Sequence, residues 1–146
     1  MIRFRRGLLQ DYAPAMKLVA EFAEESLGEY GTYLDPDKLQ KTFDIIFKTS
    51  FVAILDSEVV GILGGQVIED ICSKHPVYEE VVWYMRKEHR KYGMQLLAFV
   101  EEWCRIKGIH RIIMSCMHNS KTEKLFTLYE RLGFRPMETR FIREVE

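Results

Sequence analysis

Residues 79–107 read EEVVWYMRKEHRKYGMQLLAFVEEWCRIK, and they divide into three pieces of different chemistry. Glu79 to Met85 is rich in β-branched and aromatic residues, the composition of a strand. From about Gly93 to Lys107, Leu96, Leu97, Val100, Trp103 and Cys104 return at helical spacing. Gln95, Glu102 and Arg105 lie opposite, and Gly108 stands where a left-handed residue closes a helix. Between strand and helix lie Arg86, Lys87, Glu88, His89, Arg90 and Lys91, of which only Glu88 is acidic. A helix N-terminus carries about half a positive charge, so cations there are unfavourable by roughly 0.3–1 kcal/mol each, whereas an anion is favoured. A bound anion reconciles the two. Free backbone amides, a glycine that allows close approach and flanking Arg and Lys together suit a pyrophosphate group. A solvated charged loop is the alternative.

Downstream, Arg111 to Met117 reads as another strand, so strand, helix and strand form a βαβ unit whose two strands run parallel. Upstream, Phe51–Leu55 and Val59–Ile68 are β-rich runs joined by Asp56-Ser57-Glu58, which predicts a hairpin. Gly61, Gly64 and Gly65 interrupt its second strand and point to a bulge or a close backbone approach, with a twisted strand as the plainer reading. Ile2 to Arg5 alternates as a half-buried first strand. Asp11 to Ser26 predicts a helix whose inner face is Met16, Val19, Ala20 and Ala23. Asp35-Pro36 then supplies an N-cap and an N1 proline for a second helix facing inward through Leu39, Phe43 and Ile46. Near the other end, Ser120 and Glu123 have capping-box spacing before a helix with Leu125, Leu128, Tyr129 and Leu132 on one face, closed by Gly133. Residues 137–145 predict a closing strand. The order is strand, two helices, three strands, helix, strand, helix, strand: a single α/β domain over 1–146 with a mixed central sheet.

Composition excludes several classes. With 21 Lys and Arg against 22 Asp and Glu there is no overall basic field for nucleic acid or an anionic membrane. Cys72, Cys104 and Cys116 are widely spaced without a CxxC or a Cys/His pair, so they predict reduced thiols and no metal site. No stretch approaches the roughly 18 apolar residues of a membrane span, and the start lacks an apolar signal core. The expected compartment is the cytoplasm. A Rossmann reading fails for want of GxGxxG, and an RNA-binding α/β domain lacks an aromatic RNP-type strand.

Glu88-His89-Arg90-Lys91-Tyr92-Gly93-Met94-Gln95-Leu96-Leu97 resembles the acetyl-CoA loop of the GNAT N-acetyltransferases, Gln/Arg-x-x-Gly-x-Gly/Ala followed by a leucine pair. Glu88 replaces the family's Gln/Arg and Lys91 its first glycine. A second alignment sets Arg90 on the family's arginine and shortens the loop. Leu128-Tyr129-Glu130-Arg131-Leu132-Gly133-Phe134 is similar to the family's LYEKLGF segment, in the expected order downstream. The resemblance covers roughly the last two thirds of the chain.

It implies acetyl transfer from acetyl-CoA to a small-molecule or protein amine by direct transfer in a ternary complex, without a metal. Acetyl-CoA would be held by Trp83, Met85, Glu88, His89, Arg90, Lys91, Tyr92, Gly93 and Met94, with oxyanion donors on the backbone around Trp83 to Met85. Family analogy makes Glu79 or Glu80 the base, with Glu80 preferred, and Tyr129 the acid that protonates the CoA thiolate. Each has a packing alternative: a solvated strand-end carboxylate, and a core tyrosine beside Leu125 and Leu132. Residues 27–35, with Tyr30 and Tyr33, and the loop 69–78 would wall the acceptor cleft. The departures at Glu88 and Lys91 leave a second class open, a non-catalytic acyl-CoA-binding or interaction module. Monomer and homodimer are both compatible with the sequence.

Overall fold

A computed structural model describes residues 1–26, 35–117, 121–141, 143 and 145. They fall into two compact units, Met1–Ser115 and Cys116–Glu146.

The first unit is built on a five-stranded sheet in the order β1-β2-β3-β4-β5, with β1 at Ile2–Arg6, β2 at Ser50–Leu55, β3 at Glu58–Glu69, β4 at Pro76–Met85 and β5 at Arg111–Ile113. The first four strands pair antiparallel and β4 pairs parallel with β5. The predicted hairpin is present, turning through Asp56 and Ser57, which both take left-handed φ values of 49° and 69° as the strand twist demands. Strand β4 begins three residues before the predicted start, because Pro76 is its first residue, where a missing N–H breaks no ladder bond. The loop before it is accordingly confined to residues 70–75.

One sheet face is covered by α1 (Tyr12–Ser26) and α2 (Pro36–Ile46), the other by α3 (Gly93–Ile106). Asp35 caps α2 as predicted, its carboxylate accepting from the amides of Asp37 (2.9 Å) and Lys38 (3.4 Å). In α1 the buried residues are Ala15, Leu18, Val19 and Ala23. Ala20 is exposed, so the inner stripe is rotated from the predicted one. Ala15, Leu18 and Val19 meet Phe43 and Ile46 of α2 and Val52, Ile62, Val82 and Tyr84 of the sheet. On the other face Phe51 and Tyr78 set their rings edge-on to Trp103 of α3, with centroids 5.0 and 6.3 Å away. Truncating an aromatic ring in such a layer to alanine costs about 3–5 kcal/mol. Helix α3 ends as predicted: Gly108 is left-handed at φ 76° and the amide of Ile109 returns to the carbonyl of Cys104 at 2.8 Å.

The second unit holds α4 (Thr122–Arg131), closed by left-handed Gly133 with the amide of Phe134 bonded to the carbonyl of Tyr129 at 3.0 Å. The Thr122 hydroxyl bonds the Met117 carbonyl at 2.8 Å, whereas Ser120, the predicted cap, lies outside the described residues. Residues 137–141, 143 and 145 form no strand, in contrast to the expectation for 137–145. Met137 and Phe141, which alternation would place inward, are exposed. Among the described residues no helix is long and apolar enough to cross a membrane, and no three metal-ligating side chains gather.

Candidate active site

The parallel ladder between β4 and β5 is short: Val77 faces Arg111, Tyr78 faces Ile112 and Glu79 faces Ile113, and there it ends. Strand β4 continues from Glu80 to Met85 with no strand on its β5 side among the described residues. Such an edge offers backbone N–H and C=O groups to an extended ligand.

The strand also carries a bulge at this point. Against β3, Gly64 pairs with Val82 but Gly65 pairs with Glu80, which leaves Val81 as the extra residue. Gly65 is needed for it, because a Cβ there would collide with the carbonyl oxygen of Glu79 and press on the Tyr78 ring. At Gly65 the anticipated close approach is one of backbone on backbone, whereas at Gly61 and Gly64 the space is taken by the side chains of Met85 and of Ser50.

The bulge separates the two adjacent carboxylates. Glu79 is half-buried, whereas Glu80 is buried with 8% of its surface exposed. Burial pushes the Glu80 carboxyl up to about 8, against a downward pull from the backbone N–H and the hydroxyl of Ser115 and a smaller upward push from Glu79. Its Oε2 atom has no hydrogen-bond partner among the described residues. Ser115 itself is exposed, two residues past the end of β5.

Beyond β4 the basic run forms a 3₁₀ turn, Lys87–Tyr92, leading into α3. The charge is answered partly from α1. Arg90 pairs with Glu25 at 2.8 Å, donates to the Met85 carbonyl at 3.3 Å and lies over the Tyr84 ring at 5.9 Å. Arg86 faces Glu21 at 3.6 Å. The Tyr84 hydroxyl donates to Glu25 at 2.8 Å, and burial, with the two carboxylates beside it, pushes its pKa up to about 12. Lys87, Glu88 and Lys91 are exposed, the last with its ammonium 5.1 Å from the Tyr92 ring centroid; His89 and Tyr92 are half-buried and Met94 is exposed. Gly93 is buried in ordinary helical conformation, and the space above it is taken by Trp83 and Met85, whose atoms would lie 3.4–3.6 Å from an added Cβ. Those are ordinary van der Waals distances, so the packing of α3 on β4 does not itself demand a glycine, and Trp83, Met85 and Gly93 form one contact at the start of α3.

Tyr129 belongs to the second unit, where it is buried and stacks on Phe134 with ring centroids 5.4 Å apart. Burial raises the thiol pKa of Cys104, to about 11, and that of Cys116. Tyr30 and Tyr33 lie outside the described residues. Sequence reasoning missed Ser115, Glu21, Glu25 and Tyr84. Periodicity marks Tyr84 only as a strand residue, and nothing local singles out the others.

The profile of the acetyltransferase (GNAT) family matches residues 15–134. The chain belongs to that family. No curated sequence matches it. Among solved structures, the aminoglycoside N-acetyltransferase AAC(6')-Iy in complex with CoA is similar at 16% identity and TM-score 0.75, the match covering 99% of this chain and 95% of that one. The ribosomal-protein-alanine N-acetyltransferase of Brucella melitensis biovar Abortus 2308 is similar at 12% identity and TM-score 0.74, over the full length of both. An acetyltransferase of Trypanosoma brucei is similar at 18% identity and TM-score 0.72, over 99% and 100%. At these identities the likeness establishes the GNAT fold.

Proposed function

We propose that this GNAT chain is one N-acetyltransferase domain that moves an acetyl group from acetyl-CoA directly to an amine in a ternary complex. Besides the family match, the observation that carries the reading is the end of the β4–β5 ladder at Glu79 and Ile113, with a buried carboxyl oxygen unclaimed immediately beyond it. The pantetheine and acetyl group would lie along β4 beyond the end of the ladder, with amides from Trp83 to Met85 facing the thioester oxygen as charge develops on it. At the start of α3, Arg90 and Lys91 with Tyr92 to Met94 receive the pyrophosphate.

An alkylamine, with an ordinary pKa of about 10.4, attacks only after losing a proton. Glu80, held near 8, is a base matched to that transfer, and Oε2 is the oxygen that accepts it. Tyr129 keeps the acid role that the resemblance gives it, protonation of the departing thiolate. The similar structures include enzymes named for aminoglycosides and for a ribosomal-protein alanine, so the acceptor is proposed only as a small-molecule or protein amine.

The test is turnover of acetyl-CoA with aminoglycosides, polyamines and alanine-terminated peptides, alongside melting with acetyl-CoA alone. A ligand at 100 times its dissociation constant adds about 2.7 kcal/mol to stability, so melting should rise by several degrees, and one amine class should be acetylated. A thermal shift without acetylation of any amine would favour the acyl-CoA-binding module, whose support is the Glu25 carboxylate already on Arg90. No shift at millimolar acetyl-CoA would defeat both readings.

A further inference from the structure

We infer that His75 and His110 form a two-imidazole site for a divalent transition-metal ion of the zinc, nickel or copper kind, at the start of the β4–β5 ladder. The inference is independent of the acetyl-transfer reading and concerns the opposite end of β4 from Trp83 to Met85.

The two rings meet with centroids 5.2 Å apart and planes at 78°. Two imidazoles on one tetrahedral ion, with metal–nitrogen distances of about 2.0–2.1 Å, have centroids roughly 5 Å apart. The observed spacing is thus already that of a chelating pair, and rotation of the rings about their side-chain bonds is the adjustment that remains. Both side chains are exposed, so water can reach the ion and fill its other positions. Among the described residues no third His, Cys, Asp or Glu joins them. The site is therefore open and exchangeable, unlike the four-ligand sites that hold a fold together. Imidazole nitrogens favour zinc, nickel and copper, whereas magnesium and calcium take oxygen ligands.

The backbone holds the pair in place. Val77 faces Arg111 in the first pair of the parallel ladder, and His75 and His110 stand just ahead of that pair on their two stretches of chain. Pro76, the first residue of β4, biases His75 toward extended backbone. The loop before it is tied down at Asp70, whose amide donates to the His75 carbonyl at 3.1 Å. The Asp70 carboxylate accepts from the Ser73 hydroxyl at 3.3 Å and from Arg111 at 3.0 Å, and the Ser73 oxygen accepts in turn from the His75 amide at 3.2 Å. Arg111 follows His110 directly, so one ion pair joins the loop that carries the first histidine to the strand that follows the second. Ligands held in place before the ion arrives lose little freedom on binding it. An ion there would clasp a ladder of only three residue pairs at the end where Asp70 and Arg111 already close it.

The test is a titration of the intact chain with zinc chloride, read by melting and by the nitrogen-15 resonances of the histidine rings, with magnesium chloride as the control ion. Zinc is expected to raise the melting temperature saturably, in a manner that EDTA reverses, and to move the His75 and His110 ring resonances together along one curve. Magnesium is expected to do neither. His75→Ala and His110→Ala should each weaken zinc binding by calorimetry by roughly tenfold or more, at least the cost of losing an outer-sphere partner of a metal site. Both positions are exposed, so neither substitution opens a cavity. Ring resonances of His75 and His110 that stay unmoved as zinc is added would overturn the inference without any variant. So would a zinc affinity that survives both alanine substitutions, or one lost only in Cys72→Ser, which would set the ion on the exposed thiol of the same loop.

Discussion

Glu80 and the basic turn that begins at Arg86 lie on one continuous stretch of chain, yet their charges are handled in opposite ways. Arg86 and Arg90 sit partly in solvent and reach across to Glu21 and Glu25, each cation with an anion in range. Glu80 is buried and, among the described residues, pairs with no cation and has one oxygen without a partner. Solvent-exposed pairs contribute about 0–1 kcal/mol, so the α1 contacts set geometry more than stability. A buried carboxyl held above its ordinary range opposes folding wherever it must ionise. The difference teaches where chemistry is to be sought: each arginine has an anion that accounts for its position, and Glu80 has no such partner among the described residues.

Replacing Glu80 by glutamine breaks the comparison most severely. The isosteric amide keeps the shape and loses the base, so kcat should fall by about 10²- to 10⁴-fold. Stability should move the other way at alkaline pH. With a folded value of about 8 against an ordinary 4.5, the folded state holds a proton that the unfolded state has released between those values. The contribution of Glu80 to stability is therefore fully present below pH 4.5 and is lost as pH rises through 8. Melting measured from pH 5 to 9 should show the native protein declining relative to Glu80→Gln, by on the order of a few kcal/mol at the alkaline end. Parallel melting curves across that range would place Glu80 in solvent and end its candidacy.

Glu25→Gln sharpens the other half, with a smaller effect. Removing the carboxylate frees Arg90 from a competing anion while leaving Tyr84 an acceptor, so CoA affinity by calorimetry should rise, up to about fivefold. A fall in affinity would make Arg90 a brace for α1, with its place at the pyrophosphate withdrawn.

Much of this fold was legible because its signals are local. Turn residues at Asp56 and Ser57, the cap at Asp35, the glycine at 108 and the stripe of α3 each specify structure within a few positions. The α1 stripe was misphased because alanines on either side of the helix fit equally well, and only packing against Val52 and Ile62 decides among them. The expected last strand rested on alternation alone, and no neighbour pairs with residues 137–141. The site was half legible. Its basic turn and the helix that follows are contiguous, whereas Glu79 and Glu80 are indistinguishable in sequence until a bulge leaves one of them buried. The α1 carboxylates answering Arg86 and Arg90 lie 65 positions before them, beyond any local pattern.

The central claim, that CoA lies along β4 where β5 leaves it, is tested most directly by titrating CoA into nitrogen-15-labelled protein and following backbone amides. The account predicts that Trp83, Tyr84 and Met85 on the strand, and Arg90 to Gly93 at the start of α3, shift together along one saturating curve. Saturable shifts confined to other residues, such as Glu101 to Ile112 at the far end of α3, or no shifts at millimolar CoA, would contradict it.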